Sequence, residues 1–126
     1  QVLYQIDITG EDPEIALGNF WSFGSGSESD EELKVFVSRL VKGVMQNLSS
    51  IDTKISQYAQ NWQLGRMAMV DRNVMRLGCF ELLYCQDVPF KVSINEAVDL
   101  AKKFSGDESG KFVNAILDKI KAERDS

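Results

Sequence analysis

The chain has no histidine, two cysteines and two prolines in 126 residues. The absence of histidine removes the commonest general base and the usual Ser-His or Cys-His nucleophile pairing. Cys79 and Cys85 fit neither a zinc pattern nor a disulfide framework. With so few soft ligands a zinc or copper site is disfavoured, and neither a metal nor a cofactor is expected. On one helix the two thiols would fall on different faces, so both read as core side chains. A reducing cytoplasm is the simplest compartment for such a chain. No apolar run approaches the roughly 18–20 residues that span a bilayer, so no membrane association is expected. Residues 1–8 carry neither the basic region nor the cleavage pattern of a signal peptide.

Positive charge is also scarce, and unevenly so. The net charge is −5. Residues 1–32 contain eight acids and no Lys or Arg, whereas residues 91–126 carry seven charges of each sign. Composition alone is therefore not the footprint of a nucleic-acid binder. The acids Glu28, Asp30, Glu31 and Glu32 lack the alternating ligands and central glycine of a calcium loop. They read as a charged helix start. Gly24-Ser25-Gly26-Ser27 has no lysine after it and no strand before it, so it reads as a loop and not as a phosphate cradle.

What is present is helical periodicity, and the length suits one domain. Residues 1–8 read as the end of a helix closed by Gly10. Asp12 and Pro13 suit the cap and first position of the next. A third helix, capped by Ser29 or Asp30, runs to about Leu48, and Ser49-Ser50 breaks it from a short helix over 51–59. Residues 61–65 form a loop that Trp62 can anchor. Residues 66–84 are apolar on most sides and read as the central, buried helix. Their polar residues, with Arg72 and Arg76 paired to Asp71, Glu81 or the acids of another helix, are expected on a narrow solvated strip.

Residues 87–117 hold the clearest local signals. Pro89 ends what precedes it. Ser93 and Glu96 can form a reciprocal capping box for a helix bearing Ile94, Ala97, Val98 and Ala101 on one face. Ser105-Gly106-Asp107 ends that helix, and a last one is expected from about Glu108. Lys102, Lys103, Phe104, Lys111 and Phe112 flank this corner. Aromatics and lysines around a loop can stack bases and hold phosphates, although two core phenylalanines beside solvated lysines would look the same in sequence. The expected fold is all-α, about seven helices joined by short loops.

The run from Asn61 to Ile120 resembles the NusB family of bacterial transcription antitermination factors. The likeness is most specific in Ile94-Asn95-Glu96-Ala97-Val98, Ala101-Lys102-Lys103-Phe104 and Lys111-Phe112-Val113-Asn114 ahead of Leu117-Asp118. Val70-Asp71-Arg72 and Leu77 ahead of Glu81-Leu82-Leu83 support it. The resemblance implies two packed helical subdomains and a non-enzymatic role. It implies that boxA RNA is bound together with the ribosomal protein NusE, and that the assembly joins RNA polymerase, notably on ribosomal RNA operons. Positions matching the family's RNA corner are Phe104, Gly106, Glu108, Ser109, Lys111, Phe112 and Asn114, with Lys102 and Lys103 offering charge to phosphate. Positions matching its NusE surface are Tyr4, Asp71 and Glu81, with Phe90 and Lys91 nearby. The family's arginine-rich N-terminal segment is expected upstream of Gln1, making residues 1–126 a single, N-terminally truncated NusB-like domain. Gly65, Gly78 and Cys79 depart from the family pattern and read as packing variation. Two alternatives stand beside this reading. One is the NusB-like, non-catalytic RNA-binding domain of a ribosomal RNA cytosine methyltransferase. The other is a helical adaptor, or homodimer, without an RNA role.

Overall fold

A computed structural model describes residues 2–10, 12–22, 31–59, 69–85 and 87–124. Among these residues there are seven helices and no strand: α1 (Val2–Thr9), α2 (Pro13–Ser22), α3 (Glu31–Gln46), α4 (Leu48–Tyr58), α5 (Met69–Tyr84), α6 (Phe90–Ser105) and α7 (Asp107–Arg124). They divide into two compact units, residues 1–46 and 47–126. The all-α expectation and its two helical subdomains match this division.

The first unit holds α1, α2 and α3. Gly10 closes α1 at φ +71°, its N–H donating to Ile6 O at 2.7 Å. This is the left-handed terminus that glycine adopts without a Cβ penalty. Asp12 Oδ1 then accepts from the Glu14 N–H at 2.8 Å, and Pro13 opens α2. The cap and first position are those expected from the sequence. Leu3 and Ile6 of α1, Leu17 of α2, and Val41 and Val44 of α3 are buried.

The second unit is built round α5, packed by α4, α6 and α7. Ile51 and Ile55 of α4, Met75 and Leu82 of α5, Ala101 of α6, and Leu117 and Ile120 of α7 are fully buried. Gly78 explains how closely these helices approach. A Cβ placed there would sit 2.8 Å from Leu117 Cδ1 and 3.5 Å from the Ala97 Cβ. The glycine expected to be packing variation is thus the point where α6 and α7 both reach the α5 backbone.

Three local expectations are corrected. The break between α3 and α4 falls at Asn47 and not at Ser49-Ser50. Both serines lie in the first turn of α4, where their competition with the backbone does little harm. The Ser93–Glu96 capping box does not form. Pro89 occupies the N-cap with no side-chain cap, α6 starts at Phe90, and the Val92 and Ser93 N–H groups donate to Pro89 O at 3.0 and 3.3 Å. Proline's fixed φ suits the helix entrance, so the helix begins a turn before the serine. Ser93 is therefore inside α6, buried, with its Oγ lacking a hydrogen bond among the described residues. Finally, the polar strip of α5 is not solvated: Asp71, Asn73, Arg76 and Glu81 are all buried. The expected Ser29 or Asp30 cap, the Gly24–Ser27 loop and the Trp62 anchor lie outside the described residues.

The corner between the last two helices as a candidate nucleic-acid interface

The corner is sharp because one residue makes it. α6 ends at Ser105 and α7 begins at Asp107. Between them Gly106 has φ +104° and ψ 177°, a conformation essentially confined to glycine. Its N–H donates to Lys102 O at 3.0 Å, and its carbonyl accepts from the Gly110 N–H at 3.2 Å. Lys102 and Lys103 thus lie at the negative end of α6, while Asp107 and Glu108 lie at the positive end of α7.

Around this turn Phe104 is 62% exposed, and Lys103 Nζ lies 5.5 Å from the centre of its ring. An exposed phenylalanine flanked by a lysine presents a stacking face with charge beside it. The reading of Phe104 as core is therefore set aside. Phe112 is half-buried, so its ring divides between packing and surface. Lys102, Lys103, Glu108, Lys111 and Asn114 are exposed. Lys111 Nζ and Glu108 Oε1 are 3.7 Å apart, both well solvated, a pairing of little energetic weight.

Ser109 behaves differently. It is half-buried, and its hydroxyl donates to Asp71 Oδ2 at 2.9 Å. One residue expected at the RNA corner therefore meets one expected at the protein surface, inside the second unit. Asp71 is 8% exposed, and its Oδ1 is buried without a hydrogen-bond partner among the described residues. Glu81 is likewise 8% exposed. Burial pushes its carboxyl above the ordinary range, and Glu96 adds to this. The Ser93 hydroxyl opposes the shift from close by, although its Oγ falls short of hydrogen-bond geometry. As expected protein-contact residues, Asp71 and Glu81 offer little surface, because both are buried. Phe90 is half-buried beneath the Lys121 ammonium, 4.1 Å from its ring centre, and Lys91 is exposed. Tyr4, 38% exposed, lies on α1 in the first unit.

Two residues of the second unit have structural roles that their local sequence does not announce. Gly110 is buried, and a Cβ there would lie 2.5 Å from Lys102 Cγ, so it admits the lysine stem against α7. The signal was a glycine inside a helix, which costs about 1 kcal/mol relative to alanine and so asks for a packing reason. Asp52 was the other. Arg76 donates to both of its carboxylate oxygens at 2.8 Å and to Asn73 Oδ1 at 3.1 Å. No local pattern links two residues on different helices.

The fold and the corner define an all-helical protein whose exposed aromatic and lysines sit at a tight inter-helix turn. The chain belongs to the NusB family, whose model matches residues 1–122. The transcription antitermination protein NusB of Anaeromyxobacter dehalogenans strain 2CP-1 is 48% identical over 120 residues, covering 95% of this chain and 82% of that protein. Its counterpart from Pelotomaculum thermopropionicum is 41% identical, over 95% of this chain and 81% of that protein. Among solved structures, T. maritima NusB superposes with a TM-score of 0.87 at 41% identity, over 97% of this chain and 84% of that one. A crystal structure of the antitermination factors NusB and NusE in complex with dsRNA gives 0.87 at 27% identity, over 97% and 89%.

Proposed function

We propose that the chain is a transcription antitermination factor that binds boxA-type RNA together with NusE and so joins the RNA polymerase antitermination complex, notably on ribosomal RNA operons. The observation that carries this is the likeness, over nearly the whole chain, to NusB in its assembly with NusE and RNA. The family relationship and the open Phe104 corner support it. RNA lies across the α6–α7 corner. Phe104 stacks on a base, helped by the accessible part of Phe112. Lys102, Lys103 and Lys111 face phosphates, and Gly106, Glu108 and Asn114 shape the contact edge. The role is adaptor binding without catalysis, in the cytoplasm. Phe90 and Lys91 at the start of α6 are proposed as NusE contacts of the second unit, together with what surface Asp71 and Glu81 offer, and Tyr4 as a contact of the first unit.

The test is fluorescence anisotropy of a labelled boxA RNA with this chain, with and without NusE. Binding is expected to tighten when NusE is added, because two ligands on one composite surface reinforce each other. Phe104→Ala is expected to weaken binding by about 1–3 kcal/mol if a base stacks on the ring. The melting temperature should barely move, because the ring is exposed. Absence of RNA binding by chain and NusE together would overturn the proposal.

A further inference from the structure

Ser109 and Asp71 were both expected to face outward, one toward RNA and one toward protein. The structure pairs them with each other instead. We propose that the Ser109–Asp71 hydrogen bond is an internal latch that fixes the start of α7 on α5, making both positioning residues for RNA bound at the corner. The inference rests on the RNA-binding reading above and assigns a role within that same site.

Three observations carry it. Asp71 is in the first turn of α5 and Ser109 in the first turn of α7, so the bond joins two helix starts that are 38 residues apart in sequence. Asp71 Oδ1 has no partner among the described residues, so the Ser109 hydroxyl is the donor that its buried carboxylate has there. A buried carboxylate left with no donor is costly, which gives this one bond leverage over where the helix start settles. Ser109 also lies three residues beyond Gly106, whose left-handed conformation sets the direction in which α7 leaves α6. Gly106 permits many directions; the latch selects one. Lys111 and Phe112 follow within the next turn and are carried with it.

A latch and a direct RNA contact differ in how variants combine. The experiment measures boxA affinity for the full chain with NusE present, across Ser109→Ala, Asp71→Ala and the double variant, with circular dichroism confirming that each is folded. The latch gives a loss of about fivefold or more for each single variant, drawn from part of a charge-assisted hydrogen bond. It gives no further loss in the double variant, because both changes remove the same bond. Ser109→Thr, which keeps the hydroxyl, restores affinity. Losses that add, or an Asp71→Ala variant that binds RNA like the parent, overturn the latch. Should Asp71→Ala fail to fold, Asp71→Leu, which also lacks an acceptor, completes the same cycle. Failure of the parent chain to bind RNA would instead overturn the functional reading on which the latch depends. Normal parent binding that ignores both substitutions overturns the latch alone.

Discussion

At the scale of single residues, the second unit is held by charges that its sequence made look solvent-facing. Arg76 is 9% exposed and makes a two-pronged contact with Asp52. Such a fork matches guanidinium to carboxylate geometry, and its value lies in never leaving the arginine alone. Replacing Asp52 with alanine removes the carboxylate that neutralises a buried cation and is expected to cost roughly 3 kcal/mol, read as a lowered urea midpoint. An unchanged midpoint would mean that the arginine finds water or another acid.

Two carboxylates should leave opposite marks on the pH dependence of stability. Glu123 accepts from Lys54 Nζ at 2.7 Å and from the Tyr58 hydroxyl. The Lys54 bond, then the Tyr58 bond, hold its carboxyl below the usual range. Its stabilising effect is present above the ordinary glutamate pKa and fades as pH falls through the lowered one. Glu81 is raised by burial, so the folded chain holds its proton more tightly than the unfolded one does. Its ionisation therefore erodes stability as pH rises from the ordinary glutamate pKa through the raised one. Glu81→Gln is expected to flatten the slope in that upper window only, in urea titrations taken at a series of pH values. A slope unchanged by the substitution would show that Glu81 is not its source.

At the scale of elements, periodicity revealed where helices are but not always where they start. The apolar spacing of residues 40–44, 69–84, 94–101 and 112–120 is visible in the sequence, because the 3.6-residue repeat is written in side chains that become core. The entrance to α6 was misread because Ser93 and Glu96 have the spacing of a cap, while Pro89 already supplies one through its fixed φ. The α6–α7 corner was legible, since a glycine between polar residues has few other uses. Its tightness was not, because a single-residue link is a fact about two helix axes. Gly106→Ala forces a side chain into the glycine-only region and is expected to cost about 1–3 kcal/mol by thermal melting. It should also weaken boxA binding beyond what Phe104→Ala does, since every corner residue shifts. If stability and affinity both survive, the corner is softer than its backbone angles imply.

At the scale of the whole molecule, an acidic chain is asked to bind a polyanion. Its net charge of −5 works against RNA at long range. On the proposed corner site, attraction is expected from its exposed lysines, Lys102, Lys103 and Lys111. Each phosphate neutralised on a single strand contributes about −0.7 to the slope of log K against log salt. A slope on the order of −2 is thus expected for this chain, and Lys111→Gln should make it shallower by nearly one phosphate's worth. A slope near −5 or steeper would place the RNA on charges away from the corner. The acidic first quarter and basic-acidic last third were plain in the sequence. What composition could not reveal is that α5 turns Asp71, Arg76 and Glu81 inward. Each is satisfied or left wanting by residues far away in the chain, and only the assembled helices bring those partners near.

Cys79 belongs to this interior as well. It lies on α5 with no exposed surface, and burial pushes its thiol up to about 12. At neutral pH almost none of it is thiolate, and reagents that attack thiolates find neither the anion nor a path to it. The cysteine is therefore chemically silent while the helices are assembled and becomes reactive only when they part. The native sequence carries its own clock for such openings: the rate at which a thiol reagent labels Cys79 counts excursions of the central helix. A ligand that steadies the α6–α7 corner would register as a slowing of that clock, with no label attached at the corner itself.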